Sequence, residues 1–385
     1  MIETKREPIR ILSPGRVNLL GEHVDYNDGL VLPAAIDRVI TITATRRADQ
    51  VLSLNALDLG QSLQIPLKSV EKKLDIHGDP LPSWALYPAG VAWTLSSSGY
   101  EVCGLDCEYS SNIPIGAGLS SSAAVEVGFA VLWQALGGWS MDRLRLAQLC
   151  QKAEIEYAGV RCGLMDQFAC ANGVEGHAVL LDTRSLAFRS VPLPKNMAIV
   201  IADSSIRRSL VTSAYNDRRR DCETALSILK QTFPEVRSLR DVTLPQFKSM
   251  QGKMEKEVFI HARHVVEEIE RVFQAIPFLE QGASEKFGQL MFDTHSSLRD
   301  LFEVSCPELD ILVEIAASLD GCIGARLTGA GFGGCTVNLV EQTKAEAFVH
   351  ELSKKYRERT SRVASVFITR ASSSAHEQPF DPLIG

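Results

Sequence analysis

Ile113-Pro114-Ile115-Gly116-Ala117-Gly118-Leu119-Ser120-Ser121-Ser122-Ala123-Ala124 is the stretch that the rest of the chain is organised around. A strand-like segment, 105–109, precedes it, and Val125-Glu126-Val127 prolong a run of good helix formers after it. The order is therefore strand, flexible turn, helix start. Glycine lets backbone N–H groups approach a ligand closely and adopt positive φ. The first turn of a helix leaves about four N–H groups unpaired and carries roughly half a positive charge. Together they form a cradle for phosphate. Serine hydroxyls add hydrogen bonds, or an oxygen ligand for a magnesium ion. Taken alone, the segment fits a Gly-rich turn with a serine N-cap equally well, and the surrounding chain has to decide.

A chain of 385 residues, with domains of roughly 100–200 residues each, sets two domains as the expectation. A hydrophobic share of 45% and a charged share of 23% are ordinary for a globular protein with a sizeable core. A net charge of −7 argues against general affinity for nucleic acid. The opening residues MIETKREPIR lack an apolar core and so do not read as a secretory signal. No apolar run approaches the ~18–20 residues that span a bilayer. The nine cysteines are odd in number, scattered, and without a CxxC pair. They read as reduced, mostly buried thiols of a cytoplasmic protein, not as a disulfide framework or zinc site.

Residues 10–12 read as a short strand leading into Ser13-Pro14-Gly15-Arg16-Val17-Asn18-Leu19-Leu20-Gly21-Glu22-His23-Val24-Asp25-Tyr26-Asn27-Asp28-Gly29, a segment dense in charge and turn formers. Loops on rigid scaffolds are where binding residues concentrate. Strands are expected at 31–32, 39–45, 51–54 and 64–67, a helix at 84–95, and a second helix that follows the opening stretch and runs to about Leu136. A third helix is expected from Asp142, a plausible N-cap, to Ala158. On it Cys150, Glu154 and Ala158 share a face, so Glu154 on small, apolar surroundings is either paired or functional. Cys162-Gly163-Leu164-Met165-Asp166-Gln167-Phe168 starts another helical segment, with Asp166 in an apolar setting, and 177–182 returns to strand.

The proline-punctuated segment 191–196 is the expected domain boundary. Beyond it, strands at 197–202, 325–328, 335–340 and 365–369 alternate with helices near 215–230, 258–275, 284–301, 308–319 and 344–359, a split β-α-β layout. Arg218-Arg219-Arg220 read as a solvated helix face, and residues 373–385 as a disordered tail.

Several motifs fail on context. Gly329-Ala330-Gly331-Phe332-Gly333-Gly334 satisfies G-x-G-x-x-G, but a strand follows it where the dinucleotide fingerprint needs a helix. No G-x-x-x-x-G-K-[ST] occurs, Gly118-Leu119-Ser120-Ser121-Ser122 lacks the closing glycine of a nucleophile elbow, and no HRD or DFG pair is present. His261 and His264 sit one helical turn apart without a further metal ligand in view.

Three stretches resemble one family. Gly15 to Gly29 closely resembles the signature of the galactokinase family. Pro114 to Ala124 is similar to the phosphate loop of the GHMP small-molecule kinases, and Leu327 to Gly334 to their third motif, which packs near that loop. Cys162 to Gln167 and Ser213-Ala214-Tyr215-Asn216-Asp217-Arg218-Arg219 also match, in the family's order. The resemblance implies an α+β, two-domain GHMP kinase fold, with an N-terminal mixed α/β domain at 1–192 and a C-terminal ferredoxin-like domain at 193–372. It implies ATP and Mg²⁺, a small-molecule sugar as substrate, and no nucleic-acid or membrane partner. A monomer is the expectation.

By the same resemblance Asp166 aligns with the base for the sugar 1-hydroxyl, and Arg16 with the arginine that stabilises the developing phosphoryl charge. Glu22, His23, Val24, Asp25, Gly163 and Tyr215 fall where the sugar binds. Gly116, Ala117, Gly118, Leu119, Ser120, Ser121 and Ser122 wrap the ATP phosphates, and Ser122 and Glu154 fall where magnesium is held. Phosphoryl transfer asks mainly for positioning and charge neutralisation, which these residue types supply. Each also has a plain structural reading: Arg16 and Asp166 as a buried ion pair, Glu154 as a structural partner, Tyr215 as packing. Val24 stands where the family commonly has threonine, a loss of one hydroxyl with the β-branched shape kept. A kinase for another sugar, such as N-acetylgalactosamine or arabinose, and a non-catalytic sensor of galactose and ATP are the alternatives. The unbroken Ser120 to Ala124 and the presence of Asp166 argue against the sensor.

Overall fold

Period-two burial runs through the longest strand: Ile40, Ile42 and Ala44 are buried, and Thr41, Thr43 and Thr45 lie on the opposite, half-exposed face. That strand is central to the first of three sheets among the described residues, which in the computed structural model are 7–207 and 211–379. The first half runs β1 (Ile9–Asn18), β2 (Leu30–Val31), β3 (Pro33–Arg46), β4 (Val51–Ala56), β5 (Gln61–Pro66), α1 (Ser83–Ser97), β6 (Leu105–Ser111), α2 (Ser121–Gly137), α3 (Arg143–Lys152), α4 (Met165–Asn172), β7 (His177–Asp182) and β8 (Phe188–Pro192). The second half runs β9 (Met197–Asp203), α5 (Val211–Thr232), α6 (Leu244–Ser249), α7 (Lys256–Glu280), α8 (Ser284–Asp300), α9 (Pro307–Ser318), β10 (Cys322–Thr328), β11 (Cys335–Glu341), α10 (Ala345–Thr360), β12 (Ser365–Thr369) and β13 (His376–Gln378).

The first sheet has the order β13-β1-β3-β6-β4-β5, antiparallel except where β4 runs parallel to β6. The small sheet β2-β7-β8 lies beside it. The second half builds the antiparallel sheet β10-β11-β9-β12, the order of a split β-α-β unit, as expected from the sequence.

Helix α2 carries the opening stretch. It is apolar on all sides, and a helix of that kind is buried. Ala123 through Trp133 are all buried there, with Phe129 and Trp133 fully so. Full burial of one such large side chain is worth roughly 1.5–3 kcal/mol. The turn preceding α2 is thus mounted on one of the firmest parts of the core.

Four expectations need correction. β1 does not stop at Leu12: it continues to Asn18, with a register shift between Pro14 and Arg16 against β3, so Arg16 projects from a strand and not from a loop. Val191 and Pro192 end β8, so the proline-punctuated segment is part strand. Arg218 is no solvated arginine: its guanidinium Nε donates to the Phe302 carbonyl at 2.6 Å. The expected disordered tail is ordered as far as it is described, because His376–Gln378 pair with Arg10–Leu12 and cover the edge of the first sheet. Residues 380–385 lie outside the described residues.

Candidate active site

Arg16 joins three elements. Its Nε and Nη2 donate to Oδ1 and Oδ2 of Asp166 at 2.8 Å each, and its Nη1 donates to the Gly118 carbonyl at 2.6 Å. Its backbone N–H donates to the Leu119 carbonyl at 3.1 Å. One strand residue therefore fixes both the carboxylate at the start of α4 and the Gly-rich turn before α2. Such a two-pronged, charge-assisted pair also fixes orientation. Asp166 keeps part of its side chain, 29%, exposed to a cavity, whereas Arg16 is buried.

Ser120 is not the cap that one reading of the sequence offered. It adopts left-handed φ of 59° and makes no side-chain capping bond; its Oγ donates instead to Asp166 Oδ2 at 2.5 Å. Helix α2 thus keeps its first N–H groups free for an anion. The third Gly-rich motif packs backbone to backbone on this turn. A Cβ at Gly329 would lie 2.8 Å from the Gly118 carbonyl oxygen, and one at Gly334 would lie 2.9 Å from that of Ala117. A cavity of about 380 Å³ opens between the two turns, lined by Gly116, Gly118, Thr328 and Gly331 to Gly334.

A second cavity, of about 200 Å³, adjoins Asp166. Glu22, His23, Asp25, Gly163 and Tyr215 line it together with Arg16 and Glu154, so these sequence candidates do converge. Val24 does not line it. It is fully buried, and its carbonyl accepts the N–H groups of Asn27 and Gly29 at 2.9 Å each, so its missing hydroxyl lies away from the cavity wall. His23 is held in left-handed φ of 61°, with Nδ1 and the Tyr26 hydroxyl 3.0 Å apart, and its ring packs on Tyr215 at 5.5 Å. Burial lowers its pKa to about 3, so its ring is neutral. Tyr215 both packs and faces the cavity. Burial, then repulsion from Asp166, raises the pKa of Asp25 to about 6.

Glu154 lies on a single π-helical turn, Ala153–Ala158, that follows α3; such turns frequently mark functional sites. Its carboxyl is pushed up to about 7 by burial and by Asp166, against the opposing pull of hydrogen bonding from Cys162, Ser122 and Gln167. A buried carboxylate beside a hydroxyl and a second carboxylate is under-neutralised, which suits a divalent cation with oxygen ligands. No group of three or more His, Cys, Asp or Glu side chains that could hold a metal occurs among the described residues.

The sequence reading missed Gln167, Glu126 and Arg207. Gln167 Nε2 donates to Glu154 at 2.5 Å and to Glu126 at 2.9 Å, tying the carboxylates together. A glutamate in the apolar run of α2 was a visible signal. Arg207 lines the larger cavity and bridges from Asp203, at 2.6 and 2.8 Å, to the Ile115 carbonyl at 2.9 Å. Nothing local in its sequence marks it. His261 and His264 are no metal pair: His261 contacts Asp221, and His264 contacts Ser297 and the Glu22 carbonyl.

Residues 3–46 match the galactokinase galactose-binding signature, 87–174 the N-terminal domain of GHMP kinases, and 275–358 their C-terminal domain. The galactokinase of Roseiflexus sp. (strain RS-1) is 44% identical over 362 residues, 94% of this chain and 91% of that protein. Human galactokinase is 42% identical, over 90% of this chain and 88% of that one. The crystal structure of Lactococcus lactis galactokinase complexed with galactose superposes with a TM-score of 0.91 at 34% identity, covering 97% of this chain and 96% of that one. Methanococcus jannaschii mevalonate kinase shares the fold, with a TM-score of 0.68 at 23% identity over 96% of this chain and all of that one.

Proposed function

The chain belongs to the galactokinase family of the GHMP kinases, and on that footing we propose that it transfers the γ-phosphoryl group of ATP to the 1-hydroxyl of D-galactose. ADP and galactose 1-phosphate are the products. The observation that carries the site assignment is the Arg16 fork, which holds Asp166 and the Gly118 turn together at the junction of the two cavities.

Galactose occupies the smaller cavity, against Glu22, His23, Asp25, Gly163 and Tyr215. Its hydroxyls exchange hydrogen bonds with the carboxylates and the neutral imidazole. Asp166 accepts the proton of the 1-hydroxyl as that oxygen attacks phosphorus, and the bond to the β-phosphate oxygen breaks. Arg16 orients Asp166 and meets the charge that develops on the transferring group. Gly116 to Ser122 cradle the phosphates at the start of α2, with Arg207 as the adjacent cation. When bound, Mg²⁺ on Ser122 and Glu154 supplies charge neutralisation for the phosphates. A single chain furnishes every residue of this arrangement, which supports a working monomer. All nine cysteines are free, which suits the reducing cytoplasm.

The experiment that tests the reading is a panel of sugars with MgATP, scored for 1-phosphate formation. Rapid turnover of galactose and slow turnover of N-acetylgalactosamine and arabinose is the expected result. Binding of galactose without turnover would favour the sensor.

Glu154→Ala is expected to raise the Mg²⁺ concentration for half-maximal rate by at least about tenfold, a lost ligand costing no less than the loss of a group that only orients a ligand. Weaker Mn²⁺ binding to the ATP complex should accompany it. An unchanged titration would remove Glu154 from the metal site.

Asp25 gives a pH dependence. As an acceptor for sugar hydroxyls it must be ionised, so kcat/KM for galactose should fall as pH drops through about 6. The stability effect has the opposite sense. An acid whose folded pKa exceeds its unfolded value binds more protons folded than unfolded between the two. The sugar-free protein therefore loses stability as pH rises from 3.8 to about 6. Rate profiles and melting curves of wild type and Asp25→Asn check both signs; profiles identical in the two proteins would count against the assignment.

A further inference from the structure

Glu22 belongs to the sugar-facing segment near the start of the chain, yet the second half of the chain holds almost all of its polar atoms. Its N–H donates to Glu268 Oε1 at 3.3 Å, and its carbonyl meets His264 Nε2 at 3.2 Å. Oε1 accepts the Gly329 N–H at 3.2 Å, and Oε2 accepts Arg326 Nη2. Asn18, at 3.4 Å from Oε2, is the one contact from its own neighbourhood.

Arg326 sits in β10, immediately before the third Gly-rich motif, with no exposed surface. Its Nε donates to the Leu327 carbonyl at 2.8 Å, and its buried Nη1 has no hydrogen-bond partner. Burial, together with nearby Arg16, lowers its pKa to about 9. A desolvated guanidinium with one donor unmet is a poor device for stability. Replacing such a buried pair by apolar side chains is often neutral or stabilising. What the pair does supply is a fixed direction for the carboxylate of Glu22, one of the residues lining the sugar cavity.

We propose that Arg326 is a positioning residue for sugar recognition, acting through the Glu22 carboxylate that it holds against the cavity. The inference rests on the reading of Glu22 as a sugar-contacting residue. It assigns sugar affinity partly to the strand that also carries the third glycine motif. Lysine keeps the charge but not the planar fork, so it is not a conservative replacement there.

The test is a double-variant cycle. KM for galactose, KM for ATP, kcat and melting temperature are measured for Glu22→Gln, Arg326→Lys, Arg326→Met and the double variant Glu22→Gln/Arg326→Met. A misplaced contact group costs on the order of 10–100-fold, and Arg326→Lys is expected to raise galactose KM by that factor while ATP KM holds. The double variant should bind galactose no worse than Glu22→Gln alone, since Arg326 would act only through the group already altered. Unchanged galactose KM in Arg326→Lys, with Glu22→Gln impaired, overturns the proposal. So does a parallel rise in both KM values. If Glu22→Gln itself leaves galactose KM untouched, the sugar reading of Glu22 fails first and the proposal with it. Should Arg326→Met fail to fold, the double variant, which removes both charges, carries the comparison: galactose KM equal to that of Glu22→Gln supports the proposal, and a higher value overturns it.

Discussion

Asp166→Asn is expected to lower kcat by about 10³-fold or more, near the upper part of the range for a positioned general base, while galactose still binds. Asparagine keeps the shape of the side chain, and its carbonyl oxygen can still accept from Arg16. What it loses is one acceptor of the Arg16 fork and the capacity to take a proton. The competing explanation, a plain ion pair, makes a different prediction. Breaking a buried pair costs roughly 3–5 kcal/mol of stability, and the part exposure of Asp166 moves the cost to the lower end. An ion pair with no chemical role would therefore show a lowered melting temperature with turnover largely intact. The base role shows the reverse weighting: a modest loss in melting temperature, galactose binding retained by calorimetry, and ADP release nearly abolished. Near-normal ADP release would remove Asp166 as the base.

The same residues mark what the sequence made legible. The Gly-rich turn before α2 could be read because its features are local: two glycines, a serine run and the start of a helix-former run in twelve residues. The third motif was legible for the same reason, its glycines being local, and in the fold Gly329 and Gly334 answer to close backbone approach by Gly118 and Ala117. The hydroxyl of Ser120 was not legible, because its acceptor lies 46 residues away. Arg326 and Gln167 read as a strand arginine and a helix glutamine; their partners Glu22 and Glu126 are 304 and 41 residues distant. Strand β1 was cut short in the sequence reading because Pro14 and Gly15 are turn formers. A register shift at that point absorbs them and lets the strand continue to Arg16. β13 was missed because a three-residue strand carries no periodicity; its pairing with β1 exists only in the folded chain. Local chemistry thus located the loops, whereas the network that aims their side chains depended on long-range closure.

Gly163→Ala tests that network at the sugar side, with a second large effect. The position needs glycine for space and not for backbone conformation. A Cβ there would lie 1.7 Å from Oδ2 of Asp25 and 2.2 Å from its Cγ. The obstructing atoms end a side chain, so the fold has an inexpensive escape: Asp25 swings aside. The cavity wall then loses its carboxylate and gains a methyl group in the same small volume. Hydrogen bonds to a charged group contribute roughly 1.5–3 kcal/mol each, so the loss of one or two predicts a fall in kcat/KM for galactose of about 10²-fold. The loss should lie mainly in KM, with ATP KM unchanged, because the phosphate cradle is built from other residues. Melting temperature should stay close to wild type, and the dependence of kcat/KM on pH near 6 should disappear along with the aligned Asp25 carboxylate. A variant with wild-type galactose KM would mean that Asp25 can leave Gly163 without consequence, and would take both residues out of the sugar site. A variant with a collapsed melting temperature would instead place the contact in the core, where Asp25 has no room to move.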